Sequence, residues 1–280
     1  MPVRFPPVEP VRTRVAGPSA DNLGTSAGAD ATFVCLVRGI GSGARTNTQV
    51  GRHIVDVCLP IFTQRATSML DDLAELWWKG EHEGARVRPF SSLPIAERAE
   101  LRARAKKLLA DRTADTLGDQ AVLEGETKRL LDLPEVALRR AHNDLERRAE
   151  RDRAGWWNVG GATICAIFAA GRASIAHLGD CRAARLRRGL YEVLTEEHTL
   201  PAPSTDTLTR AVGLWHDGPE RVVLPVERGD LFLFMTRALY RGRSADAIKT
   251  ALRNHGPDAP ASLALQGDNR EATAVAVEIL

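Results

Sequence analysis

From Ala162 onward the chain is cut into short apolar segments by glycine-bearing turns, and this punctuation limits the possible folds more than any other feature. Residues 162–169, 174–178, 182–186 and 190–194 are such segments, with Gly171-Arg172, Gly179-Asp180 and Arg188-Gly189 between them. Segments this short bury little as helices. Joined by tight reversals, they pair as antiparallel strands. Residues 231–235 and 272–279 predict two more strands. Residues 244–254 predict a helix with Ala247, Ile248, Ala251 and Leu252 on one face.

The first half reads differently. Residues 1–10 are Pro-rich and predict an extended arm, and residues 11–280 read as a single domain. Residues 32–37 form an apolar run expected as a buried strand, after which Gly39-Ile40-Gly41-Ser42-Gly43 turns the chain. Val50, Ile54, Val57, Cys58 and Ile61 then recur at helical spacing, with Pro60 near the end of that helix. Residues 65–152 are helical by pattern and dense in charge. Ser92 before Pro94 predicts a helix start, and Asp132-Leu133-Pro134-Glu135 reads as a second, with an N-cap, an early Pro and a reaching Glu. Leu138, Ala141, Leu145 and Ala149 line one face beyond it. An early strand, a helical middle and a strand-rich second half make an α+β domain.

Composition removes several functions. A net charge of +2 gives no broad field for nucleic acid, and Lys and Arg between Glu97 and Arg153 are closely matched by Asp and Glu, as on a solvated, ion-paired surface. No apolar stretch approaches the roughly 20 residues of a membrane span, and the start lacks the apolar core of a signal peptide. Cys35, Cys58, Cys165 and Cys181 form no C-x-x-C pair and are expected as buried free thiols in a cytoplasmic protein. His53, His82 and His177 share no ligand spacing, so zinc is not expected. Gly39-Ile40-Gly41-Ser42-Gly43-Ala44 also fits a dinucleotide fingerprint. No second parallel strand with an acidic end follows, which argues against that reading.

Six short motifs carry a family resemblance by their order. They are Gly160-Gly161-Ala162-Thr163, Ala176-His177-Leu178-Gly179-Asp180-Cys181-Arg182-Ala183, Leu194-Thr195-Glu196-Glu197-His198, Leu208-Thr209-Arg210-Ala211-Val212-Gly213, Gly229-Asp230-Leu231-Phe232-Leu233-Phe234-Met235 and Gly267-Asp268-Asn269. Together they resemble the metal-dependent Ser/Thr protein phosphatases of type 2C, over roughly residues 13–64 and 132–280, with residues 65–131 as a helical insertion. The resemblance implies a β-sandwich of two antiparallel sheets flanked by helices. It also implies two manganese or magnesium ions held by aspartates, which activate a water for attack on phosphorus.

The implied ligand set is incomplete. Asp21 and Asp268, the latter beside Asn269, match two acidic positions of the family, and Asp180 matches an aspartate that can reach a third metal. The metal-bridging aspartate falls at Arg38, before the loop glycines Gly39 and Gly41. A second ligand falls at Arg237. The family's phosphate-binding arginine falls at Ala16, with Arg12 and Arg14 out of register. Arginine has no lone pair to offer and repels a cation. The expectation is therefore a catalytically impaired pseudophosphatase without a cofactor. It would regulate or scaffold a protein partner, phosphorylated or kinase-linked, with Arg38 and Arg237 facing Asp21 and Asp268 and available to phosphate. The opposing reading is an active phosphatase with a rearranged manganese or magnesium site. Asp180, Asp230 and His198 also read as turn or packing residues. Trp77 and Trp78, with Leu70, Leu73 and Leu76, offer an apolar anchor expected at the partner interface.

Overall fold

Period-two alternation along β4 (Thr32–Ile40) sorts its side chains between two layers. Phe33, Cys35 and Val37 face helices, whereas Val34 and Leu36 face a second sheet. The computed structural model describes residues 3–4, 11–16, 23–27, 31–41, 45–63, 67–82, 88–111, 113–200, 207–214, 217–265 and 272–280. In it β4 pairs with β3 (Leu23–Ala27) on one side and β6 (Gly160–Ala169) on the other, both antiparallel. β7 (Arg172–Leu178) and β12 (Glu220–Pro225) complete a five-stranded sheet in the order β12-β7-β6-β4-β3. The second sheet has the order β2-β14-β13-β8-β9, from β2 (Val11–Ala16), β14 (Ala274–Ile279), β13 (Leu231–Met235), β8 (Arg182–Arg187) and β9 (Leu190–Val193).

The sheets bury an apolar layer between them in which Ile164, Phe168 and Ile175 of one meet Phe232, Phe234 and Val277 of the other. The outer face of the first sheet is covered by α1 (Asn47–Thr63) and α4 (Leu117–Arg151). That of the second is covered by α6 (Arg237–Tyr240), α7 (Ala245–His255) and α8 (Ala259–Leu265). The result is the helix–sheet–sheet–helix sandwich expected from the sequence. Among the described residues no helix is long and apolar enough to cross a membrane. β4 extends beyond residue 37, so Gly39 and Ile40 belong to the strand and the chain turns only after them.

The insertion forms α2 (Thr67–Glu81), α3 (Ile95–Asp111) and the first half of α4. Leu73, Leu108, Leu109, Val122 and Leu123 give it a small core of its own. The helix start expected at residues 132–135 is not one. α4 begins at Leu117, where Thr116 and Asp119 form a capping box, and continues through Pro134. The lost backbone bond at Pro134 is outweighed by packing, since Leu130, Leu131 and Leu133 before it and Ala137 and Leu138 after it are all buried. Part of the N-terminal arm is also fixed: β1 (Val3–Arg4) pairs with β5 (Thr113–Ala114) of the insertion.

Candidate functional site

Arg38 lies on the same alternation as Val34 and Leu36, so its side chain continues the inter-sheet face to one end of the sandwich. The glycine that follows is required by packing. A Cβ on Gly39 would collide with the backbone carbonyl of Asn47 at the start of α1, and Gly41 donates its N–H to Asn47 Oδ1 at 2.7 Å. The loop glycines thus bring strand and helix into close contact. Both neighbours of β4 are antiparallel, which rules out the parallel β-α-β unit of a dinucleotide site.

Asp180 reaches the same end from the turn between β7 and β8. Gly179 has φ +101°, a conformation open to glycine, and it aims the next residue inward. The Asp180 residue is only 1% exposed. Arg38 grips its carboxylate as a fork: Nε donates to Oδ1 at 3.1 Å, and Nη2 to Oδ1 at 2.9 Å and Oδ2 at 2.8 Å. Arg237, the first residue of α6, places Nη1 3.6 Å from Oδ2 of the same carboxylate. Tyr240 at the other end of α6 donates its hydroxyl to the Asp180 carbonyl at 2.6 Å. The two arginines, expected to face Asp21 and Asp268, which lie outside the described residues, both meet Asp180. Asp180 is the hub of the site rather than a turn residue alone.

Two further clusters border this centre. Glu197 pairs with Arg182, whose guanidinium stacks 3.8 Å from the Tyr240 ring centroid. Cys181 is held out of nucleophilic chemistry, because burial and then the Asp180 charge push its thiol up. Behind the turn, His177, His198 and Glu220 place three possible ligand atoms within 4.8 Å of one another, a grouping that linear spacing did not reveal. Its atoms are already engaged. His177 Nε2 meets the Glu196 carbonyl at 2.8 Å, and His198 Nδ1 accepts from Gly179 N–H at 3.0 Å. With Nδ1 accepting, the neutral His198 ring carries its proton on Nε2, 3.0 Å from Glu220 Oε1. Arg210 Nη1 sits 2.6 Å from that same oxygen. A cation there would face a guanidinium and displace three hydrogen bonds, so the group works as a clasp holding residues 194–198 to β7.

Of the predicted site residues, the fold brings Arg38, Arg237 and Asp180 together, with Gly39 and Gly41 shaping the loop beside them. Asp21, Asp268 and Asn269 lie outside the described residues. Trp77 and Trp78 are half-buried within the insertion: Trp77 Nε1 donates to Asp119 Oδ1 at 2.9 Å and Trp78 Nε1 to the Arg88 carbonyl at 3.1 Å. The described residues do not fit a divalent metal pair. The buried carboxylate Asp180 is already neutralised by two guanidiniums, and Glu197 is paired with Arg182.

No protein-family model matches the sequence, and no curated protein matches it. Solved structures do match in fold. A serine/threonine phosphatase of S. agalactiae superposes with TM-score 0.57 at 14% identity, covering 96% of this chain and 100% of its own. The catalytic domain of the serine/threonine phosphatase PstP, solved with two manganese ions, gives 0.57 at 16%, covering 96% and 98%. PppA, described as a key regulatory component of T6SS in Pseudomonas aeruginosa, gives 0.55 at 21%, covering 98% and 100%. At such identities the likeness is one of architecture: this chain has the fold of the type 2C, or PPM, phosphatases.

Proposed function

We propose that this phosphatase-fold chain is a pseudophosphatase that regulates or scaffolds a protein partner, and that two arginines have taken the place of its metals. One observation carries the reading: Arg38 and Arg237 both converge on the Asp180 carboxylate. In a two-metal hydrolase a carboxylate at such a place neutralises a cation, and the cation generates hydroxide and screens the phosphoryl oxygens. Guanidinium can hold the carboxylate but cannot generate that nucleophile, since it coordinates no water as a Lewis acid does. Two guanidiniums converging at one end of the sandwich offer planar, charge-assisted donors there. That suits an anionic, phosphorylated segment of a partner, bound without hydrolysis. The indole N–H groups of Trp77 and Trp78 are spent inside the insertion, which favours the arginine end over the tryptophans as the partner-binding surface.

The test is metal analysis of protein purified in excess manganese, together with turnover of a phosphoserine peptide. The expected result is no retained metal pair and no manganese-dependent turnover, with the phosphopeptide binding more tightly than its unphosphorylated form. Two manganese ions per chain with manganese-dependent release of phosphate would establish the opposite reading, an active phosphatase with a rearranged site.

A further inference from the structure

Three of the four cysteines meet in the layer between the first sheet and α1. Cys35 in β4 and Cys165 in β6 are direct cross-strand partners on the face that α1 covers, and Cys58 descends from α1 onto them. The Sγ atoms of Cys35 and Cys165 are 3.5 Å apart, and all three Sγ atoms lie within 4.8 Å of one another. Each of the three residues is fully buried, and the surrounding cluster, including Val37, Ile54, Ala137 and Ala176, is apolar. Apolar filling of this layer does not require sulfur, yet three elements distant in sequence each supply one at the same point.

The spacing is chemically specific. An ion bound to three thiolates at about 2.3 Å sets its sulfurs about 4.0 Å apart. That separation lies between the 3.5 Å from Cys35 to Cys165 and the 4.8 Å bound on the triad. Thiolates of this kind select soft cations over manganese and magnesium, which take oxygen. A disulfide between Cys35 and Cys165 would leave Cys58 without a role, whereas a trigonal ion uses all three.

We propose that Cys35, Cys58 and Cys165 form a three-coordinate thiolate site for one soft cation of the Cu(I) or Zn(II) class, pinning α1 to the sheet. Binding breaks three S–H bonds and forms three metal–sulfur bonds, and three protons leave to the buffer. Because the sulfurs are sealed under α1, the ion enters while the chain folds. The site is separate from the arginine end, so the two proposals stand or fall independently.

The test is refolding of the full chain under nitrogen, with a phosphine reductant, in the presence of one equivalent of Zn(II), Cu(I) or the spectroscopic probe Cd(II), each alone. The expected result is one ion per chain retained through desalting, an ultraviolet thiolate-to-metal charge-transfer band and a raised Tm. Retention by zinc alone or by copper alone identifies the ion. Cys58→Ser and Cys165→Ala should each weaken retention at least tenfold, with folding of the metal-free variants checked by circular dichroism. Cys181→Ala, whose thiol hydrogen-bonds the Ala162 carbonyl instead, should retain the ion as the parent does. The proposal is overturned if the folded parent keeps no ion, if both triad variants keep it as well as the parent, or if mass analysis shows a Cys35–Cys165 disulfide under these reducing conditions.

Discussion

Replacing Arg38 by alanine tests the central ion pair most directly. Arg38 supplies three N–H···O contacts to a carboxylate that is 1% exposed, and Arg237 stands farther off at 3.6 Å. Removing one partner of a buried pair costs about 3–5 kcal/mol, because the remaining charge is left desolvated. Arg237 keeps part of the compensation, so the low end, about 3 kcal/mol, is expected. At roughly 2–3 °C per kcal/mol for a chain of this size, Tm should fall by about 6–9 °C. Asp180→Ala should cost a comparable amount for the opposite reason, since it removes the carboxylate that both guanidiniums approach. Urea unfolding followed by tryptophan fluorescence would be run on the parent, both single variants and the double. The double variant should be less destabilised than the sum of the singles by more than about 1 kcal/mol. Additivity within about 0.5 kcal/mol would show that the two side chains do not depend on each other, and the account of the site given above would fail.

Three other outcomes are expected. Restoring carboxylates with Arg38→Asp/Arg237→Asp should create manganese binding measurable by isothermal titration calorimetry where the parent shows none; an inert but folded double variant would mean that more than these two positions separate the site from a metal centre. Thr116→Ala breaks the capping box of α4 and should cost about 1 kcal/mol in urea unfolding, against almost nothing for a change at exposed Thr48. Burial first, and for His198 also the charges of His177 and Arg210, holds both clasp histidines below their ordinary range. The unfolded chain then binds more protons once pH drops below about 6.5, so this contribution to stability is intact above that pH and is lost as pH falls through the lower folded values. Unfolding free energies at pH 7.5 and 5.5 should differ less in His198→Gln than in the parent.

The strands of the second half were legible because two local signals agreed there, apolar runs and glycine turns. β6, β7, β8 and β13 consequently fall within two residues of their predicted bounds. β12 was missed because its signal is short: Glu220–Pro225 is an edge strand whose apolar run is only Val222-Val223-Leu224, with Leu224 as its buried residue. The motif at residues 132–135 was locally sound as a helix start, and long-range packing of α4 on two partners overrode it. At the site, the sequence identified the arginines and Asp180 but not their pairing. Which carboxylate an arginine meets depends on how the ends of β4, β7 and β13 are stacked, and no spacing along the chain encodes that. The cysteine and histidine groupings were hidden for the same reason.

One consequence of α4 concerns how this molecule can be divided. At 35 residues and about 1.5 Å each the helix is a rod of roughly 52 Å, and it has no break at the boundary between insertion and sandwich. Its first half carries Val122 and Leu123 into the insertion's core, while its second half carries Ala137, Leu138, Ala141 and Leu145 into the layer beneath the first sheet. Neither core can be assembled without a length of the same rod. The insertion is therefore not a removable module: a cut at its apparent end severs the beam that both halves are built on, and any tilt imposed on the outer helices is carried by leverage to the wall against which α1 rests.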